Sequence, residues 1–185
     1  MCNNKIKSIC VFCGSQNGVL PIYKEVAKSL GKTLAQLNIR LVYGGGDVGL
    51  MGALAQAVKN EKGSVLGVIP THLLNVEAKG NNSDDLIVTE NMHERKKVMF
   101  MNSDAIIALP GGLGTLDELF EVLTWAQLEL HRKPIFILNI DGFWEPLLNL
   151  ITRIIKNEFT EKNARNLFKV FDNFEDLARD LKKIS

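Results

Sequence analysis

An acid one helical turn beyond a cluster of glycines is the pattern in this chain best suited to chemistry. The run Ala108-Leu109-Pro110-Gly111-Gly112-Leu113-Gly114-Thr115-Leu116-Asp117-Glu118 follows a compact apolar segment, Ala105 to Leu109. It precedes an amphipathic one carrying Leu116, Leu119, Phe120, Leu123 and Trp125. The pattern predicts a strand passing through glycines into the start of a helix. Glycine admits close approach of a ligand to the main chain, and positive φ where a turn needs it. The unpaired N–H groups and the positive dipole end of the helix then face an incoming anion. A phosphate held over Gly111, Gly112, Gly114 and Thr115 would lie beside Glu118, so the acid is a candidate for chemistry. Thr115-Leu116-Asp117-Glu118 also satisfies a capping box, with Thr115 as N-cap. That reading accounts for Glu118 without accounting for the glycines, and the two roles are compatible.

A second charged cluster, Met92-His93-Glu94-Arg95-Lys96-Lys97, opens the preceding predicted helix. Its ordinary reading is a solvated face. Yet the helix leads straight into the strand that ends at Pro110, which would bring its residues above the same sheet edge. Arg95 offers a planar, permanently charged fork suited to phosphate oxygens, and Lys96 a point charge. Gly14-Ser15, ending the first predicted strand, offers the Ser15 hydroxyl and main-chain donors, or simply a turn. Gly44-Gly45-Gly46-Asp47-Val48-Gly49 satisfies the dinucleotide pattern G-x-G-x-x-G, but after the second strand rather than the first. The next strand ends at Ile69-Pro70 with no acid to hold a ribose, so a simple phosphate or ribose loop using Gly45 and Gly46 is the better reading. The Walker pattern is absent.

Cys10-Val11-Phe12-Cys13 has redox or metal spacing. It lies inside an apolar strand, where odd spacing sends the two side chains to opposite faces. No second Cys/His pair completes a zinc site, and His72, His93 and His131 lack ligand spacing. No metal and no cofactor are expected. Three cysteines and the lack of a leader segment point to a reducing cytoplasm. Lys+Arg 22 against Asp+Glu 21 leaves a formal charge of +1, so no strong field draws the chain to nucleic acid or a membrane. No apolar run approaches a membrane span of roughly 18 residues. A small-molecule partner is favoured.

Apolar segments at Lys5–Cys13, Ile39–Tyr43, Ser64–Ile69, Leu86–Val88, Ala105–Leu109 and Pro134–Leu138 read as strands. Helical spacing is expected over Pro21–Leu37, Leu50–Asn60, Met92–Asn102, Thr115–Leu130, Phe143–Asn157 and Phe174–Lys183, with a polar loop at Gly80–Asp85. The alternation predicts an α/β fold: a Rossmann-like, doubly wound parallel sheet with helices on both faces. Without a linker or repeat, residues 1–185 are expected to form a single nucleotide-binding domain. Met99, Phe100, Met101 and Trp125 are assigned to core or subunit interface.

The Pro110-to-Glu118 run resembles the PGGxGTxxE signature of the LOG (Lonely Guy) proteins. Met92-His93-Glu94-Arg95-Lys96 resembles their second motif, and Val11-Phe12-Cys13-Gly14-Ser15, Tyr43-Gly44-Gly45-Gly46 and Lys133-Pro134 fit the same family. The resemblance runs from about Lys5 to Leu150. It implies a Rossmann-like homodimer that cleaves the N-glycosidic bond of purine riboside 5′-monophosphates, of cytokinin type or AMP, giving free base and ribose 5-phosphate. It also implies Arg95 and Glu118 as the catalytic pair and Gly112, Gly114 and Thr115 as the holders of the phosphate; the full substrate-binding set expected is Ser15, Gly45, Gly46, Met92, Lys96, Gly111, Gly112, Gly114 and Thr115. Some relatives carry the label lysine decarboxylase, but no motif here marks a cofactor-bearing lysine. The chemistry agrees with the residues, because glycosidic cleavage builds positive charge on the ribose that a carboxylate can stabilise. Two other classes remain at this level: a nucleotide-binding or carrier protein without catalysis, and a nicotinamide-dependent oxidoreductase.

Overall fold

Seven apolar segments become the strands of one sheet in the computed structural model, which describes residues 5–77 and 86–185. They are β1 (Ser8–Phe12), β2 (Arg40–Tyr43), β3 (Val65–Pro70), β4 (Leu86–Thr89), β5 (Ala105–Ala108), β6 (Ile135–Leu138) and β7 (Lys169–Phe171). The order across the sheet is β4-β3-β2-β1-β5-β6-β7, and every pairing is parallel. Ile9 stands opposite Leu41 on one side and Ala105 on the other, which makes β1 the centre. The chain winds outward from β1 through β4, then returns to lay β5 on the other flank. This reversal between β1 and β5 opens a crevice at the carboxyl ends of the strands, where such sheets bind ligands.

The helices α1 (Pro21–Gln36), α2 (Gly49–Asn60), α3 (Thr71–Glu77), α4 (Met92–Met101), α5 (Leu113–Gln127), α6 (Glu145–Lys156) and α7 (Phe174–Ile184) connect or close the strands. Strand residues buried on both sides feed two cores. Ile9, Val11, Leu41 and Ile107 pack with Leu30 and Leu34 of α1, Leu54 of α2 and Leu177 of α7. Cys10, Phe12, Val42 and Ile106 pack with Met99 of α4, Leu119 of α5 and Leu147 of α6. Cys10 and Cys13 fall in different cores, as their odd spacing requires, and both are free thiols.

The expected elements are present, with instructive differences. β7 has three residues and α3 has seven, too short for a periodic signature to develop. A 3-10 turn at Ile140–Gly142 precedes the start expected at Phe143, and α6 begins two residues later, at Glu145. Helix α5 begins at Leu113 with Gly112 as its N-cap, two residues before the expected start at Thr115. The loop expected at Gly80–Asp85 lies outside the described residues. Among the described residues no helix is long and apolar enough to cross a membrane.

Candidate active site

Helix α4 is positioned from its first turn. Asn91 caps it by accepting from the Glu94 amide at 2.9 Å, and the Glu94 carboxylate accepts from the Glu90 amide at 3.0 Å. The following two residues point inward although both are charged: Arg95 is 6% exposed and Lys96 7%. These two leave the solvated face, on which His93, Glu94 and Lys97 stay exposed. Arg95 donates from Nε to the Val68 carbonyl at 3.1 Å and from Nη2 to the Gly44 carbonyl at 3.2 Å, which anchors it on the tips of β3 and β2. Its Nη1 lies 3.7 Å from Glu118 Oε1 and 3.7 Å from the Met92 sulfur.

The glycine runs divide into two kinds. A Cβ on Gly44 would lie 2.0 Å from Arg95 Nη2, so glycine is required there to seat the guanidinium. A Cβ on Gly111 would lie 2.1 Å from Thr115 Oγ1, so that glycine serves internal packing. At Gly112 and Gly114, by contrast, an added Cβ meets nothing within 4 Å. Neither of these takes positive φ, so conformation does not demand glycine either. Their bareness leaves room above the helix start.

That start is the wall of the cleft. With Gly112 as N-cap and the Leu116 amide bonded to the Gly112 carbonyl at 3.1 Å, the amides of Leu113, Gly114 and Thr115 have no acceptor within the helix. The N-cap, Gly112, makes no side-chain capping bond. Thr115 is thus the third helical residue rather than a cap, and the capping-box geometry does not form. Glu118 instead lies one turn further in, 6% exposed, with its carboxylate toward Arg95.

A cleft of about 290 Å³ joins these parts. Ser15, Met92, Arg95, Gly112, Gly114, Thr115 and Glu118 line it. Ser15 is placed there because the Gly14 amide bonds the Pro110 carbonyl at 3.1 Å and the Leu50 amide bonds the Gly14 carbonyl at 3.1 Å, which ties the first loop to the second glycine run. Gly45 and Gly46 are buried and do not line the cleft, and Gly111 lines an adjoining cavity with Gly14, Ser15 and Gly112. Lys96 also points away: its Nζ lies 3.0 Å from Asp117 and 3.3 Å from Glu121. Burial opposes the charge on Lys96, but hydrogen bonding to Asp117 and the field of Glu121 outweigh it and raise its pKa.

Sequence reasoning left several lining residues out of the site, and assigned one of them, Met99, to core or subunit interface. Val11, Met51, Leu73 and Met99 give the cleft an apolar side, and Gly44 closes it below Arg95. The methionines carry no signal beyond that of ordinary core residues. Cys13 also faces the cleft, where burial and the nearby Glu118 charge push its thiol pKa well up. This is an inert thiol rather than a nucleophile. Among the described residues, no group of three or more His, Cys, Asp or Glu side chains is arranged to hold a metal.

A doubly wound parallel sheet with a bare, glycine-built helix start at its carboxyl edge defines the class: a Rossmann-like α/β protein with a ligand cleft at that edge. Comparison with known proteins is specific. Residues 51–181 match the family model described as possible lysine decarboxylase. A cytokinin riboside 5′-monophosphate phosphoribohydrolase of Arabidopsis thaliana is 46% identical over 97% of this chain and 83% of its own length. A probable enzyme of the same name from Oryza sativa subsp. japonica is 44% identical over 98% of this chain and 75% of its own. The chain belongs to the LOG family of these phosphoribohydrolases. Among solved structures, the molybdenum cofactor binding protein of Rippkaea orientalis superposes with a TM-score of 0.73 at 25% identity, covering 98% of each chain.

Proposed function

We propose that this protein hydrolyses the N-glycosidic bond of purine riboside 5′-monophosphates, releasing the free base and ribose 5-phosphate. The observation that carries the reading is the buried Arg95–Glu118 pair one turn from an uncapped helix start. A phosphate placed on the amides of Leu113, Gly114 and Thr115 meets three donors and the helix dipole. Ser15 and Met92 complete the substrate-binding set within the cleft. Gly45, Gly46, Gly111 and Lys96 support it from outside the cleft. The ribose then lies against Glu118, whose carboxylate stabilises the positive charge that grows as the C1′–N bond breaks. The same carboxylate orients or deprotonates the attacking water. Arg95 places a positive charge beside Glu118, with Nη1 3.7 Å from Oε1. The apolar side formed by Met51, Leu73 and Met99 suits a purine, including one with an apolar N6 substituent of cytokinin type.

We assign the protein to a homodimer in the cytoplasm. Leu113 at the cleft mouth is 86% exposed and Met101 at the end of α4 69%, apolar surface that a second copy would cover. The buried free thiols Cys10 and Cys13 accord with a reducing compartment.

The deciding experiment incubates the protein with AMP, isopentenyladenosine monophosphate and a panel of other nucleoside 5′-monophosphates, and separates the products by chromatography. Equal amounts of free base and ribose 5-phosphate, formed at a rate unchanged by chelators, are expected. Nucleotide binding by calorimetry without base release over long incubation would overturn the reading in favour of a carrier.

A further inference from the structure

Two neighbouring residues of α4 reach two different parts of the fold. Arg95 is fixed to the tips of β2 and β3 through the Gly44 and Val68 carbonyls. Lys96, one residue on, reaches α5, where its Nζ bridges Asp117 and Glu121 at 3.0 and 3.3 Å. Those acids are four residues apart and so project from one face of α5. Glu118 follows Asp117 directly, so the Lys96 bridge and the Arg95–Glu118 pair form two adjacent rungs between the same helices.

The backbones of α4 and α5 hardly approach each other. Side chains therefore set the distance between them: the charged rungs toward the cleft end, and the Phe100–Trp125 ring contact at 4.9 Å farther along. The Lys96 side chain is 8% exposed, so this is not a loose surface pair. Exposed pairs contribute little, whereas a buried charge held by two partners is costly to displace. Helix α5 carries both Glu118 and the bare amides at its start, while α4 carries Arg95. A shift of α5 against α4 would move the anion seat and the carboxylate together, away from the arginine.

We propose that Lys96 is a positioning residue: through Asp117 and Glu121 it fixes α5 against α4, and thereby sets Glu118 and the phosphate seat relative to Arg95. It does so without touching substrate. The inference rests on the glycosidase reading given above. A misplacement of about 1 Å at reacting groups can reduce turnover on the order of 100-fold.

The test compares wild type with Lys96→Met, Lys96→Arg and the double variant Asp117→Asn/Glu121→Gln, measuring kcat, KM and thermal midpoint with AMP. Lys96→Met is expected to lower kcat by about ten- to 100-fold with KM within roughly threefold of wild type. Lys96→Arg should recover most of the loss, because its fork reaches both carboxylates. The double variant loses the same rung from the more exposed side and should match Lys96→Met in kcat; it carries the test if Lys96→Met does not fold. A lowered midpoint with unchanged kcat would overturn the proposal, leaving a purely structural tether. A raised KM with kcat retained would also overturn it, since that marks direct substrate contact. Wild-type protein without base release would instead refute the glycosidase reading, so the two failures are distinct.

Discussion

Replacing Glu118 by glutamine isolates the charge of the carboxylate, since shape and hydrogen-bonding reach are nearly kept. Two unit charges about 4 Å apart interact by about 1 kcal/mol in bulk water, but by about 4 kcal/mol at an effective dielectric of about 20. Glu118 is 6% exposed, which places it in the second regime. The ribose carries only part of a unit charge at the transition state, so a loss of about 2 to 3 kcal/mol, or roughly 30- to 150-fold in rate, is expected. Stability should suffer less. Arg95 keeps its bonds to Gly44 and Val68, and its 3.7 Å approach to Glu118 is longer than a hydrogen bond. The stability cost therefore stays below the roughly 3 to 5 kcal/mol of a broken buried ion pair. The assay is base release from AMP under saturating substrate, with calorimetric affinity and thermal midpoint measured on the same protein. Affinity should hold within about threefold, because the phosphate seat is separate. If Glu118→Gln turns over within tenfold of wild type, the placement of the developing charge against Glu118 is wrong.

Three further outcomes follow from the geometry. Gly114→Ala, at a helical position with nothing within 4 Å of the added methyl, should raise stability by up to about 1 kcal/mol while raising KM about tenfold or more; thermal melts and steady-state kinetics read both. Gly44→Ala should do the reverse of a neutral change, displacing the Arg95 guanidinium that lies 2.0 Å from the new Cβ, and should be visible as a fall in kcat and in thermal midpoint together. Asp104 contributes to acid stability. Partial burial raises its pKa, but hydrogen bonds from the Lys7 amide, the Ser8 amide and the Ser8 hydroxyl outweigh this and leave it lowered. A lowered folded-state pKa gives stability that is fully present above the unfolded value of about 3.9 and is lost as pH falls through the folded one. Asp104→Asn should therefore flatten the acid limb of the midpoint-against-pH curve below about pH 4; an unchanged limb would assign it elsewhere.

What was legible in the sequence was whatever local order could specify. The run from Ala105 to Leu109 is buried and leads into a helix start, so strand and glycine turn followed from adjacent residues. The second glycine run shows where that logic stops. Gly44-Gly45-Gly46 has the local form of a phosphate loop, yet Gly44 is glycine because a guanidinium from 51 residues further on lies against it. Lys96 is a similar case: its type fits a phosphate, but its partners Asp117 and Glu121 come from the next helix and take it out of the cleft. Gly112 replaced Thr115 as the cap because a residue without Cβ adopts the extended cap geometry as readily, and nothing local favours one start over the other. Contacts made across the sheet edge leave no periodic trace.

The commitment of Arg95 to two carbonyls decides how the cleft divides its work. Swinging the guanidinium to a phosphate would leave the Gly44 and Val68 carbonyls unpaired in a buried place, at about 1 to 3 kcal/mol each. That cost exceeds what a single charged hydrogen bond of roughly 1.5 to 3 kcal/mol returns. With the phosphate on the neutral donors at the start of α5, as proposed above, the positive charge stays beside Glu118. This matters because a nucleotide phosphate of charge about −1.5 to −2 and an ionised glutamate repel across one small cleft. Arg95, 3.7 Å from Glu118, offsets that repulsion at close range. A guanidinium immobilised by carbonyls supplies the offsetting charge without competing for the phosphate. The test is the substrate-bound state: with Arg95→Gln, nucleotide should bind with weak dependence on the variant while base release falls at least as far as in Glu118→Gln.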